Sequence, residues 1–478
     1  MQSLLYIIGA SLMGIVVASA VIHVVMDNRQ PAKTMAWVLI IVFLPILGLI
    51  LYLFFGINYR RERLISQRSL DQLTKRSMLG FVEQQNLQVP ERHKQLVDLF
   101  VNQSFSLPFK DNHIDIMTDG YTFFPALLKD IAQAKHHIHI DMYIFKADAL
   151  GHLIVDALAH KAKEGVHVRV IYDDVGCWDV KHHFFEQMRE EGIEVADFLP
   201  VRFPSFTSKV NYRNHRKIIV IDGRVGYIGG MNIASRYVQG TPKQAWRDTM
   251  LRLTGGAVYG LQRAFLVDWY FVDRTLITDR IYYPPYSENP SQASNNCLAQ
   301  IVTSGPTNSY PEIMQGYVRI IQSAHRYVYI ETPYFLPNDP VLFALKTAAM
   351  AGVDVRILCP RRSDSRFVEW ASRSYLREAH EAGVKIYLYD AGFLHSKLMV
   401  CDDALTTCGS ANVDFRSFEN NFEANAFIYD EGVALRMKSI FLKDQESAIP
   451  LSDLPQRVRP HFWHRLGESL TRLFSPLL

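Results

Sequence analysis

His215, Lys217 and Asp222 stand in the spacing H-x-K-x4-D, and Gly229-Gly230-Met231-Asn232 follows them. His395, Lys397 and Asp402 repeat it, followed by Gly409-Ser410-Ala411-Asn412, each residue 180 positions after its counterpart. An imidazole attacks phosphorus when it is neutral and held in one tautomer by a carboxylate on its other ring nitrogen. A lysine two residues on brings positive charge to the same pocket, where it stabilises charge on a transferring group. The small residues further on allow close approach of backbone or ligand. Two matched sets point to one active site at a pseudo-twofold interface and to phosphoryl or phosphatidyl transfer through a covalent histidine. A charged lysine is no metal ligand, and neither H-x-x-x-H nor H-E-x-x-H occurs, so a metal centre is disfavoured.

The remaining polar residues take roles from their offsets. With each H-x-K on a strand, His and Lys share a face, and the apolar runs Ile218 to Ile221 and Leu398 to Cys401 make that strand a core one. Asp222 and Asp402 sit at an odd offset from their histidines, so they are expected to be structural and to fix the following turn. Asn232 and Asn412 can donate amide hydrogens to phosphate oxygens. Asp248, in Trp246-Arg247-Asp248-Thr249, and Glu423, in Asn421-Phe422-Glu423-Ala424, are preferred as the carboxylates that orient the histidines. Asp173-Asp174 is expected to line a rim or make a turn rather than hold magnesium.

These residues sit in a longer repeat. Ile138 to Phe145 reads like Val328 to Phe335, and Ala162 to Ile171 reads like Ala349 to Leu358, in the same order in both halves. A repeat this long means duplicated domains, not a solenoid. Alternating strand-like and helix-like segments, such as His137 to Phe145 and Leu153 to Glu164, predict an α/β fold: two pseudo-twofold-related α/β/α sandwich domains. The expected divisions are an anchor over 1–59, a juxtamembrane connector over 60–108, the first catalytic domain over 109–281, a Pro/Ser/Asn-rich linker over 282–297, the second domain over 298–450, and an amphipathic tail over 451–478.

The anchor is a different material. Leu4 to Met26 and Met35 to Ile57 are each nearly all apolar and long enough to cross a bilayer as helix, joined by the polar turn 27–34. The first lacks the basic start of a signal peptide, and the second follows at once, so a retained transmembrane hairpin is expected. Arg60, Arg61, Arg63, Arg68, Lys75 and Arg76 outweigh Arg29 and Lys33, which puts the catalytic part in the cytoplasm. In the tail, Phe462, Leu466, Leu470, Leu473, Phe474 and Leu477 share one helical side with Arg465, Glu468 and Arg472 opposite; a helix docked on the core and a helix lying in the membrane interface are both open. Five scattered cysteines without C-x-x-C read as buried free thiols, and a net charge of +3 does not suggest a nucleic-acid binder.

At these residues the chain resembles the phospholipase D superfamily, and within it the bacterial cardiolipin synthases. Pro31 to Trp37, Trp246 to Thr249, Glu331 to Pro337, Gly392 to Lys397 and Asp414 to Phe418 carry the closer likeness. Asn420 and Met250 stand where that pattern has Leu and His. The resemblance counts His215, Lys217, Asp222, His395, Lys397 and Asp402 together as the catalytic motif residues. It implies reversible conversion of two phosphatidylglycerols to cardiolipin and glycerol, with His215 as nucleophile and His395 as acid and base, and no metal, nucleotide or other cofactor. The partners it implies are phosphatidylglycerol and the bilayer of the bacterial cell membrane. The alternatives are another phosphatidyltransferase or a hydrolase of the superfamily; a nuclease fits the two spans poorly, and two complete motifs argue against a non-catalytic scaffold.

Overall fold

The computed structural model describes residues 2–26, 31–56, 87, 89–201, 211–242, 244–285, 297–308 and 310–477. The chain divides into two compact units, one of residues 1–63 with 201–212 and one of 64–200 with 213–478.

In the first unit, helix Gln2–Met26 is unbroken, and Tyr6–Met26 is long and apolar enough to cross a membrane. The second apolar stretch corrects the expectation of a second straight span. It forms helix Pro31–Phe43, stops at Leu44, and resumes as helix Pro45–Leu51 with a wide last turn to Gly56. Pro45 has no N–H and its ring crowds the carbonyl four residues back, while the residue before a proline is driven out of the helical region; Leu44 has φ −130°. Helix Pro31–Phe43 has 13 residues and rises about 20 Å, less than the ~30 Å hydrocarbon core. The chain folds back tightly there, since a Cβ on Gly48 would lie 2.6 Å from the Ile40 carbonyl oxygen. Val24, Ile41 and Tyr52 form this unit's small core. Arg29 of the turn and the basic residues from Arg60 to Arg76 lie outside the described residues.

The second unit is built on one fifteen-stranded sheet. From the centre outward, the first half runs Pro108–Met117, Met250–Thr254, Val225–Gly229, Lys217–Ile221, His137–Met142, His167–Asp173 and Glu194–Phe198. The second half repeats that order with Cys297–Ser304, Glu423–Tyr429, Leu405–Gly409, Leu398–Cys401, Tyr327–Glu331, Asp354–Pro360 and Lys385–Tyr389, then adds Ala448–Pro450 at the edge. In each half the last three repeated strands are parallel and the inner ones antiparallel. The halves join where Pro108–Met117 pairs antiparallel with Cys297–Ser304, with a register break between Phe109 and Asn112.

Helices cover both faces. One face is shared: Ala257–Asp273 and Glu431–Glu446 bury Val258, Leu261, Met437 and Phe441 in a single core drawn from both halves. On the other face each half has its own core, around Phe123, Leu127 and Ile154 in the first and Ile313, Tyr317 and Leu345 in the second. All five cysteines are free and buried.

Three segments flank the two expected domains. The described part of the connector is helix Glu91–Ser104, and its apolar stripe Leu96, Val97 and Phe100 belongs to the second half's core. Phe100 packs 4.5 Å from Phe427, ring centre to ring centre, and a Cβ on Gly316 would meet it at 2.5 Å. At the linker, Tyr282 and Tyr283 are buried, and residues 286–296 lie outside the described residues. The tail helix, Phe462–Arg472, docks against helix Arg366–Glu381 with its polar side inward, through Glu468 to Arg377 and Arg472 to Glu378, each at 2.7 Å.

Candidate active site

Each histidine lies just before its strand rather than on it, in an extended segment held by the opposite half. His215 N–H donates to the Phe422 carbonyl at 2.9 Å, and Phe422 N–H donates to the Arg213 carbonyl at 2.9 Å. His395 N–H donates to the Arg247 carbonyl at 2.7 Å, within the parallel pairing of Phe393–Leu394 with Trp246–Arg247. This backbone exchange decides which carboxylate each ring meets. His215 Nδ1 lies 3.0 and 3.1 Å from the two carboxylate oxygens of Glu423, and His395 Nδ1 lies 2.6 Å from Asp248 Oδ2. Both pairs cross between the halves: the candidates the sequence offers meet the histidine of the other repeat.

The carboxylates are themselves fixed. Asp248 Oδ1 accepts the Thr249 N–H at 2.7 Å, and Glu423 accepts the Ser410 hydroxyl. A carboxylate on Nδ1 places the imidazole proton there and leaves Nε2 with its lone pair. Burial pushes His215 down to about 4 and His395 down to about 3; Lys217 and Lys397 push the same way, against the pull of Glu423 and Asp248. Both rings are therefore neutral at pH 7. Burial works to raise Asp248, but Lys397 and His395 outweigh it and hold the carboxyl below its usual range; Glu423 is held down likewise by His215, Lys217 and Ser410.

The two lysines are buried beside the rings. Lys217 Nζ donates to the His215 carbonyl at 2.6 Å and lies 5.0 Å from the centre of the Tyr143 ring. Lys397 Nζ donates to the His395 carbonyl and sits 3.0 Å from His395 Nδ1. Nδ1 cannot donate to Asp248 and accept from Lys397 at once, and the shorter carboxylate contact decides for the first. Burial lowers both lysines, Lys217 to about 7. Their ammonium groups have few fixed partners, so an anionic phosphodiester would be a strong one.

The motif aspartates stand apart from the two rings. Asp222 accepts the backbone N–H groups of Lys135, His136 and His137 at 2.8 to 2.9 Å, and Asp402 those of His325, Arg326 and Tyr327 at 2.7 to 2.9 Å. Both have positive φ, 55° and 51°, at the turn past their strand. The asparagines are partly committed too. Asn232 accepts from Ile144 N–H and donates to the Tyr237 hydroxyl, while Asn412 donates to Asp414 and keeps a buried oxygen without a hydrogen-bond partner among the described residues.

Apart from Asp173, which the sequence places at a rim or turn, other residues enter the site without a spacing signal. Tyr143 lies 4.9 Å from His215, and Trp246, Phe393 and Tyr334 lie 5.3, 5.7 and 6.5 Å from His395, ring centre to ring centre. Asp173 is buried, faces Arg213 at 3.5 Å and accepts the Asn214 N–H at 2.9 Å, tying down the segment that enters His215. Thr249 and Ser396 hydroxyls meet at 2.9 Å across the halves. Their aromatic or hydroxyl character alone could not have separated these residues from core positions.

Comparison with known proteins places this geometry. A family model described as cardiolipin synthase, PLD-like domain, matches residues 127–251 and 317–445, and one described as phospholipase D-nuclease N-terminal matches 15–56. The major cardiolipin synthase ClsA of Bacillus subtilis is 40% identical over 471 residues, 96% of this chain and 96% of that one. The cardiolipin synthase of Oceanobacillus iheyensis is 39% identical over 472 residues, 97% of each. The crystal structure of phosphatidylserine synthase from Haemophilus influenzae aligns with a TM-score of 0.60 at 14% identity, over 81% of this chain and 100% of that one, and shares its fold. With both motifs assembled on that fold and near-complete likeness in length, the chain belongs to the cardiolipin synthase family of phospholipase D-like proteins.

Proposed function

We propose that this protein is a cardiolipin synthase, a phosphatidyltransferase that converts two phosphatidylglycerols to cardiolipin and glycerol. The observation that carries the reading is the crossed pair of buried neutral histidines, each oriented at Nδ1 by a carboxylate of the other half. Family membership supplies the lipid substrate.

The reaction runs in two displacements. His215 Nε2 attacks phosphorus, the bond to the glycerol oxygen breaks, and His395 gives that oxygen a proton, leaving a phosphatidyl-histidine. His395 then takes the proton from the terminal hydroxyl of a second phosphatidylglycerol, whose oxygen attacks phosphorus and releases His215. Burial and Lys397 hold His395 near 3. A bound phosphodiester anion offsets that cation and raises the ring toward the acid it must become. Lys217 and Lys397 bind the phosphoryl oxygens, and Asn232 and Asn412 support the loops beneath them and offer their second amide hydrogens. Because the transition state carries its extra charge on those oxygens, fixed cations there lower the barrier.

The N-terminal helices hold the enzyme at the bacterial cell membrane, with Tyr6–Met26 as the spanning segment. The basic residues from Arg60 to Arg76 favour a catalytic unit on the cytoplasmic side. Membranes containing the wild-type chain and labelled phosphatidylglycerol, without nucleotide or metal, should yield cardiolipin and free glycerol. His215→Ala should lower the yield at least about a thousandfold. Phosphatidic acid in place of cardiolipin would make the protein a hydrolase, and undiminished product from the variant would remove the covalent histidine.

A further inference from the structure

Helix Phe462–Arg472 is docked in the reverse of the usual sense. A helix on a globular surface buries its apolar stripe and turns charge to solvent. Here Gly467, Glu468 and Arg472 face the protein: Glu468 is buried against Arg377, Arg472 lies over the Tyr375 ring at 4.0 Å, and a Cβ on Gly467 would strike Trp370 at 2.5 Å. The apolar side points out, with Phe462 69% exposed, Trp463 76%, Leu470 51% and Leu473 73%. The neighbouring helix extends the patch, since exposed Phe367 lies 5.8 Å from Phe474 and Trp370 lies 6.2 Å from His464, ring centre to ring centre.

The border of this patch is basic. Arg362, Arg366, Arg459 and Arg465, exposed on the same two segments, outnumber exposed Asp364, and Glu468, the one acidic residue between 459 and 474, is buried and paired. Aromatic and leucine side chains ringed by arginine suit the boundary between acyl chains and anionic headgroups, and would be a poor match for a second positively charged copy.

The patch also adjoins the site. Asp364, two residues before Arg366, accepts the hydroxyl of Tyr334 at 2.8 Å, and Tyr334 lines His395. The terminal turn Ser475–Leu477 packs against helix Phe415–Glu419, which begins three residues after Asn412. We propose that the C-terminal helix and the start of helix Arg366–Glu381 form a seat on an anionic phospholipid surface, and that lipid reaches the His395 side of the site from it. This deepens the lipid-substrate reading, and its first test needs no turnover.

All native cysteines are buried, so a nitroxide can be placed on Leu470→Cys in the full chain, with exposed Glu190→Cys as control. In vesicles of phosphatidylethanolamine and phosphatidylglycerol, the label at 470 should be reached by oxygen and shielded from an aqueous nickel chelate, with the reverse at 190. The shielding should weaken when phosphatidylcholine replaces phosphatidylglycerol. Nickel access at 470 equal to that at 190 would overturn the seat, label–label broadening that grows with protein concentration would give the face to a second copy, and equal shielding in both lipids would overturn the anionic preference. As a functional check, Leu466→Glu with Leu470→Glu should raise the surface KM for phosphatidylglycerol in vesicles about tenfold while kcat holds. The same variant in detergent micelles should match wild type; a loss of kcat and of thermal stability there would mean that the helix is only structural.

Discussion

In the proposed reaction His215 and His395 work through Nε2, because a carboxylate occupies Nδ1 of each, and losing that contact should slow turnover. Asp248→Asn and Glu423→Gln keep shape and size but permit the wrong tautomer, and each should lower kcat by about 10²- to 10⁴-fold with unchanged melting temperature. Full activity in both would strip Asp248 and Glu423 of the orienting role. The acid limb of kcat/KM reports the free enzyme. His215 is neutral above about 4 and gains a proton below it, so activity should fall as pH drops through that value. Lys217 is one of the groups that holds the ring down. Lys217→Met should therefore move the limb to higher pH as well as weaken phosphate binding; an unmoved limb would mean that another group controls it.

At the scale of elements, the turns after the two core strands carry the stability that the motif aspartates supply. Asp222 gathers three backbone N–H groups at the entry to strand His137–Met142 while holding φ 55°, a conformation that Asn also tolerates. Asp222→Asn therefore removes the charge without adding backbone strain. It should lower stability by about 2 kcal/mol, seen as a lower melting temperature, with kcat of the folded enzyme nearly intact. A large loss of kcat at full stability would return Asp222 to the chemistry. Element types were legible where the period was clean: the strand expected from His137 and the helix expected through Leu153 to Glu164 are found as His137–Met142 and Ala149–Lys163. Pro45 and the stripe Leu96, Val97, Phe100 were also visible signals. They were outweighed by the length of the apolar run in one case and by the polar surroundings in the other, so a broken helix was read as a span and a core helix as a connector.

Over the whole molecule, the duplication and its chemistry were legible because both repeats write the same spacing in the linear chain. The pairing was not. His215 and Glu423 lie 208 residues apart and His395 and Asp248 lie 147 apart, and no spacing says which strand end meets which. A chain cut within 286–296 should show the dependence directly: neither half should be active alone, and co-expression of the two should restore cardiolipin formation. Activity in either half alone would mean that its histidine finds a carboxylate at home or on a second copy of the same half. The exchange of carboxylates has one more consequence, for how such a chain can change over time. Two identical half-length chains meeting face to face would place the same acid beside both rings, and any replacement would alter both at once. Here one ring has aspartate and the other has glutamate steadied by Ser410, where the first repeat carries Gly230. Joined in one polypeptide, the two histidines are free to inherit separate substitutions and so to specialise, while each half still carries the carboxylate that the other's histidine needs.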